Sequence, residues 1–258
     1  MDYDKLKERY QNGFDPAGYP EMVKALDFLY FFYQRQLNDI ISSDAIKVGG
    51  TFLDFGCGPT PFNMFPVTKK FHEVVLCEYV EQNRRAVQQW VDKDASAFNW
   101  SFLAESQARL EGFSDTKVGC SEVEERTRRA IKHVVPCDAF DMTVLPEEHK
   151  VGYDVLFSCL CFEAAAVDLE AYNTVVANVS QLVKPGGTII QCGVLGCKSY
   201  TVGQISFDAM FLTEDIVKNA LKKVGFDMKR WELDEPKTPP AGYQYKYDGA
   251  FTVVAVKE

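Results

Sequence analysis

Apolar residues gather in short runs separated by longer stretches with helical spacing. Thr51-Phe52-Leu53-Asp54-Phe55 and Val74-Val75-Leu76-Cys77 are nearly unbroken apolar runs. Val134-Val135, Tyr153-Asp154-Val155-Leu156-Phe157-Ser158 and Thr188-Ile189-Ile190 follow. Runs that are apolar on both faces of the pleat predict buried parallel strands. Asn83 to Lys93 and Ala171 to Leu182 read as helices between them, and Lys184-Pro185-Gly186-Gly187 as a turn into the next strand. Thr213-Glu214-Asp215 opens a further helix, Lys222-Lys223 suits the negative end of its dipole, and Gly225 ends it. Ser121-Glu122-Val123-Glu124 fits a capping box with Ser121 as N-cap. The pairs Glu124/Arg128 and Glu125/Arg129 then stand one turn apart on a solvated helix. Before the first strand, Tyr10 to Pro16 reads as turn-rich. Tyr19 to Ile41 carries Leu26, Leu29, Tyr30, Tyr33 and Leu37 at the spacing of one amphipathic helix. Asp227–Leu233 and Ala250–Val256 read as a closing strand pair. Alternating strand–helix units followed by a hairpin predict a single α/β domain, Rossmann-like and seven-stranded. The sheet is mostly parallel with an antiparallel last strand, and residues 1–48 form a helical cap.

The first apolar run leads straight into Gly56-Cys57-Gly58-Pro59-Thr60. Gly56 and Gly58 allow a sharp turn and a close approach of backbone to ligand, because neither has a Cβ. Glu78 ends the second run, where a carboxylate can accept hydrogen bonds from ribose hydroxyls. Cys137-Asp138 follows the third run and can place a carboxylate beside an adenine amino group. Strand, glycine turn, helix, strand and acid together describe a nucleoside pocket. The dinucleotide fingerprint needs a third glycine, and here that place is Pro61. A pyrophosphate also wants free N–H groups at the helix start, and Pro59 and Pro61 remove two. S-adenosylmethionine carries no phosphate, so the pattern favours it over NAD.

Composition narrows the class. The chain has 258 residues, 47% of them apolar, enough for a sizeable core. Net charge is −9 with no Lys/Arg-rich run, which speaks against a nucleic-acid face. No stretch reaches the apolar length of a membrane span. The polar start Met1-Asp2-Tyr3-Asp4-Lys5 is unlike a signal peptide, and the expected location is cytoplasmic. The eight cysteines show no paired C-x-x-C spacing, so no metal site is expected. Cys159 and Cys161 fall on one face of a strand end with Cys192 at the next. They read as buried reduced thiols rather than an arsenic-binding or redox cluster.

The chain resembles the small-molecule N-methyltransferases typified by the nicotinamide, phenylethanolamine and indolethylamine enzymes. The likeness runs from about Tyr10 to Val256. It rests on Gly56-Cys57-Gly58-Pro59-Thr60, Tyr79 with Gln82-Asn83, Ala97-Phe98-Asn99-Trp100-Ser101, Cys137-Asp138, Leu160-Cys161-Phe162-Glu163-Ala164-Ala165, Lys184-Pro185-Gly186-Gly187, and Ser199-Tyr200 with Gly203. Lys-Pro-Gly-Gly is common among methyltransferases; the Gly-x-Gly-Pro-Thr and Leu-Cys-x-Glu-Ala pieces are narrower. The resemblance implies cofactor contacts from Tyr10, Tyr19, Gly56, Gly58, Pro59, Thr60, Glu78, Tyr79, Asn83, Asp138, Ala139 and Cys159. It also implies acceptor contacts from Glu163 and Tyr200. Glu163 lies just beyond the Tyr153–Cys159 strand, at the ligand edge of such a sheet. There a carboxylate can orient an amine and take its proton. Tyr243, Tyr245 and Tyr247 are on alternate positions before the last strand and could line the pocket. Four departures stand out. Gly193 replaces the nicotinamide enzyme's aspartate, and Gly196, Cys197 and Lys198 stand where the phenylethanolamine enzyme has carboxylates. Val23 and Lys24 stand where aromatics are expected, and Glu78 replaces an aspartate. A second acidic contact would then come from elsewhere, and Asp208 is the candidate. The implied activity is S-adenosylmethionine-dependent N-methylation of a small amine or aromatic heterocycle by a monomer. S-methylation of a small thiol and a cofactor-binding regulatory role are the alternatives.

Overall fold

The computed structural model describes residues 3–44, 46, 49–239 and 246–258. Its main sheet contains seven strands. These are β1 (Phe52–Phe55), β2 (Val74–Glu78), β3 (Ile131–Pro136), β4 (Tyr153–Cys159), β5 (Val183–Leu195), β8 (Phe226–Asp234) and β9 (Gly249–Lys257), in the order β3-β2-β1-β4-β5-β9-β8. The first five pair in parallel, while β9 runs antiparallel to both β5 and β8. The order reverses beside β1, so the loops after β1 and β4 open a crevice at the carboxyl ends of the strands, where such sheets bind ligands.

Alternation along each strand divides the core. Phe52 and Phe157 join one apolar cluster; Leu53, Phe55 and Leu156 join the other. Helices α3 (Asp27–Ser42), α4 (Met64–Val67), α5 (Glu81–Val91), α6 (Ser101–Leu110) and α7 (Thr116–Ala130) cover the first face. Helices α9 (Leu169–Ser180) and α10 (Glu214–Lys223) cover the second. Thr213 caps α10 through its side chain, as the sequence predicts. The closing hairpin and the seven-stranded sheet are likewise as expected.

Several local expectations need correction. The stretch from Tyr19 to Ile41 is two helices, α2 (Tyr19–Ala25) and α3, because Leu26 leaves the helical region at φ −108°, ψ 29°. Leu26 is buried, and the bend turns both helices inward. Tyr10 to Gly13 is the end of helix α1 (Tyr3–Gly13), not a turn. The apolar residues Leu6, Tyr10 and Phe14 recur every four positions and pack inward. Ser121 is not a cap. Asp115 starts α7, accepting from the Lys117 and Val118 N–H groups, and Ser121 lies inside the helix. That helix is only partly solvated. Arg128 pairs with Glu124 at 3.2 Å and lies 4.0 Å over the Trp90 ring. Glu125 pairs with Lys93 and Arg128 rather than Arg129. Ser199 to Asp208 forms a small hairpin of β6 (Ser199–Val202) and β7 (Ile205–Asp208), which the sequence pattern does not predict. Tyr243 and Tyr245 fall outside the described residues. Tyr247 is buried and its hydroxyl accepts from the Lys237 N–H.

Candidate active site

Strand β1 runs into a turn that its glycines make possible. Gly56 has φ +71° and Gly58 φ +62°, a left-handed region that other residues enter with strain. A Cβ on Gly56 would also run into Sγ of Cys161. The turn's N–H groups are already bonded. Gly56 and Cys57 donate to the Cys77 carbonyl at 2.9 and 3.0 Å, and Gly58 donates to Glu78 Oε2 at 2.9 Å. Glu78 Oε1 accepts from the Val80 N–H at 2.8 Å and from Asn83 Nδ2 at 3.3 Å. Glu78 therefore ties the glycine turn to the end of β2. Burial raises its pKa, and the Val80 and Gly58 N–H groups oppose that rise. A carboxylate offers about four acceptor positions, so about one remains for a ribose hydroxyl.

These groups border a cavity of about 640 Å³, a size suited to a small-molecule ligand. Gly56, Gly58, Thr60 and Cys159 line it from the strand ends. Glu78, Tyr79 and Asn83 line it from the β2–α5 junction, and Asp138 and Ala139 from the loop after β3. The N-terminal helices close over it. Lys7 Nζ is 2.6 Å from Asp138 Oδ2, while Asp138 Oδ1 accepts from the Phe140 N–H. Gln11 donates to the Tyr79 carbonyl at 2.9 Å. Tyr19, with its hydroxyl accepting from Tyr30 at 3.4 Å, completes the wall.

The loop after β4 brings in the acidic group. Leu160 takes φ +54°, and Cys161 precedes the short helix α8 (Phe162–Ala165). Cys161 is thus beyond the strand rather than on one strand face with Cys159. Glu163 is 3% exposed, yet it borders the cavity. Its Oε1 accepts from the Val194 N–H at 3.3 Å, and its Oε2 has no partner. Burial lifts its pKa to about 7. Tyr200 reaches the same cavity from β6. Tyr10 donates to the Ala164 carbonyl at 3.1 Å, so the 2.7 Å contact between Tyr10 and Tyr200 is donated by Tyr200. Burial raises the pKa of both phenols, which stay protonated.

Among the described residues, three expected site residues do not border the cavity, Tyr247 being one of them. Pro59 is buried outside its lining. Asp208 is half exposed at the end of β7 and lies 3.7 Å from Arg9, away from the lining. The sequence placed it by elimination, and the hairpin points it at a surface partner instead. Other lining residues escaped sequence reading, among them Lys7, Phe14, Met22 and Cys197. The four-residue period of Leu6, Tyr10 and Phe14 was the available signal for the first helix.

The arrangement suits a nucleoside cofactor without phosphates. The Gly56, Cys57 and Gly58 N–H groups are bonded within the protein, leaving no cradle there for a pyrophosphate. Both Asp54 carboxylate oxygens, Asn83 Oδ1 and Glu163 Oε2 are buried acceptors without partners. Of these, Asn83 Oδ1 belongs to the cavity lining at the β2–α5 junction and would match an amino or hydroxyl donor of S-adenosylmethionine, Asp54 lies outside the lining, and Glu163 enters from the loop after β4. A Cβ on Gly58 would face open space, with Tyr19 Oη nearest at 3.9 Å.

Similarity to known proteins agrees with this fit. The sequence profile of the NNMT/PNMT/TEMT family matches residues 5–258. Nicotinamide N-methyltransferase of Sus scrofa is 30% identical over 234 residues, covering 88% of this chain and 87% of that enzyme. The Homo sapiens enzyme of the same name is 28% identical over 254 residues, covering 98% and 91%. The fold matches magnesium protoporphyrin IX methyltransferase from Synechocystis PCC 6803, solved with bound S-adenosylmethionine. That match has a TM-score of 0.60 at 11% identity, over 100% of this chain and 98% of the other. The fold and cofactor class are those of an S-adenosylmethionine-dependent methyltransferase. The chain belongs to the NNMT/PNMT/TEMT family.

Proposed function

We propose that this protein methylates the nitrogen of a small amine or aromatic N-heterocycle. The observation that carries the reading is Glu163, a buried carboxylate with one unpartnered oxygen, on the same cavity as the glycine turn. S-adenosylmethionine, when bound, supplies a methyl already activated by its sulfonium. What remains for the protein is to bind, align and exclude water. Glu78, Asn83, Asp138, Tyr19 and the turn hold the nucleoside. Glu163 Oε2 accepts an N–H of the incoming amine. With its pKa near 7, Glu163 also suits proton acceptance near neutral pH. The proton of Tyr200 is directed to Tyr10, which leaves its oxygen as an acceptor. Two acceptors without a competing donor favour a nitrogen that carries hydrogen.

The chain acts as one domain, with the described residues before β1 as a cap held by Lys7, Tyr10 and Gln11. We place it in the cytoplasm as a monomer without nucleic-acid or membrane partners. Its eight free cysteines support the compartment and its net charge of −9 the lack of a nucleic-acid face, and among the described residues no helix is long and apolar enough to cross a membrane. Turnover of methyl-labelled cofactor with a panel of amines and heterocycles tests the activity. Glu163→Gln should slow amine methylation by about tenfold or more, roughly 1.4 kcal/mol of barrier, with cofactor affinity unchanged. Equal rates for the two proteins across pH would remove Glu163 from the reaction.

A further inference from the structure

Gly193 sits near the carboxyl end of β5, opposite Phe251 of β9. Its φ is not in the left-handed region, so the backbone alone does not require glycine there. Space does. A Cβ at this position would lie 2.8 Å from Glu163 Oε1 and 2.8 Å from two ring atoms of Phe251. Real Cβ atoms do not approach so closely, so a neighbour would have to move.

Most of those neighbours are fixed. The Gly193 carbonyl accepts from the buried Tyr33 hydroxyl at 2.7 Å, and the strand is held between β4 and β9. Phe251 is fully buried, with its ring stacked on Trp231 at 5.0 Å and 7°. The backbone of Glu163 is also anchored, since its carbonyl accepts from the Met210 N–H at 2.8 Å. The carboxylate is the free end of a flexible side chain, and it is the group that would yield. In the native protein it fills the space above Gly193 and takes the neighbouring Val194 N–H. That seat leaves Oε2 without a partner.

Resting on the acceptor role given above to Glu163, we propose that Gly193 is a specificity-determining positioning residue. Its missing side chain is the seat of the Glu163 carboxylate, and this seat makes the site select cationic amines over neutral heterocycles. A side chain at 193 would swing the carboxylate out of line. The amine would lose its charged partner, while a neutral ring nitrogen, which needs no counter-charge, would lose much less.

The test compares kcat/KM for 2-phenylethylamine and quinoline, using methyl-labelled S-adenosylmethionine, in wild type, Gly193→Ala, Glu163→Ala and the double variant. Gly193→Ala should lower the amine-to-quinoline ratio by roughly tenfold, with S-adenosylhomocysteine affinity unchanged. Glu163→Ala should lower it comparably, and adding Gly193→Ala should change it no further, because the two residues act as one unit. The melting-temperature loss caused by Gly193→Ala should also shrink in the Glu163→Ala background, where the space is empty. Equal losses for both probes, multiplicative losses in the double variant, or an undiminished melting penalty would each overturn the proposal. If Gly193→Ala does not fold, the same four-way comparison is made in a Phe251→Leu background, which removes the ring contact and leaves only the carboxylate to yield. An unchanged ratio in Glu163→Ala alone, or no turnover of either probe, overturns the acceptor reading and this proposal with it. A response to Glu163→Ala without one to Gly193→Ala overturns this proposal only.

Discussion

Glu163→Gln should make the ligand-free protein more stable above neutral pH, even though it removes a charge from the proposed acceptor site. The carboxyl is 3% exposed. Burial lifts its pKa from the ordinary 4.5 to about 7, against the lowering effect of its own N–H and that of Val194. A carboxyl with a raised pKa keeps its proton in the folded state over a range where the unfolded chain has lost it. Stability therefore falls as pH rises through that range. At about 1.4 kcal/mol per pKa unit, the loss approaches roughly 3 kcal/mol once the pH passes about 7. Glutamine keeps an oxygen for the Val194 N–H and has no charge to desolvate, so it lacks this dependence. In a chain of this length the difference corresponds to roughly 5–10 °C of melting temperature. Asp54 is also buried, and its pKa is raised well above the ordinary carboxylate range by burial and by Glu78. It is present in both proteins, so its titration largely cancels in the comparison. Thermal melts of wild type and variant at several pH values from about 5 to 8 measure the effect. The variant's advantage should grow from acid to neutral pH and then level off. A difference that stays flat would mean that Glu163 does not titrate in a buried site, and the desolvation argument would fail.

Three further outcomes follow from the same geometry. Glu78→Ala leaves the Gly58 and Val80 N–H groups without their acceptor, at about 1–3 kcal/mol for each buried donor left unsatisfied. Melting and S-adenosylhomocysteine titration should both show the loss, and unchanged values in both would release Glu78 from the turn. Asp208→Asn should leave amine turnover intact, since that carboxylate pairs with Arg9 outside the cavity; a large fall in kcat/KM would return it to the site. S-adenosylhomocysteine at about a hundred times its Kd should stabilise the protein by about 2.7 kcal/mol, whereas NAD should give no shift in melting temperature. A larger shift with NAD would contradict the absence of free N–H groups in the Gly56–Gly58 turn.

Much of the fold was legible because its signals are local. The strand at Phe52–Phe55, its glycine turn and Glu78 lie within one strand–helix–strand unit. Each residue type there is required by something a few positions away. The Thr213 cap and Gly225 stop are equally local. The errors arise where tertiary contacts decide. Leu26 breaks a helix that periodicity would continue, because burying both halves requires a bend. Ser121 satisfies a capping pattern, but Asp115 begins the helix a turn and a half earlier and leaves Ser121 nothing to cap. The Ser199–Asp208 hairpin carries no strong strand pattern of its own, and its Tyr200 and Phe207 are placed by rings from α1, with Tyr10 4.8 Å from Phe207.

The two halves of the site differ for the same reason. The cofactor half depends on residues that hold one another through adjacent backbone, so a change there disturbs the turn itself. The proposed acceptor half is assembled from distant segments: Glu163 from the loop after β4, its seat from Gly193 and Val194, the wall behind that seat from Phe251, and the anchor of that strand from Tyr33. None of these residues announces the others in sequence. In sequence, Gly193 reads only as the loss of a carboxylate, which suggested looking for a replacement acid such as Asp208. In the structure the absence has a positive use, because the space it leaves is filled by the carboxylate that is already there. A replacement acid is then unnecessary. On the proposed reading, one buried carboxylate with an unpartnered oxygen, beside a tyrosine whose proton is directed to Tyr10, holds a single N–H-bearing nitrogen. On this proposal, acceptor choice should therefore change with the side chain at 193, far from Glu163 in sequence, while the glycine turn and its cofactor contacts stay as they are.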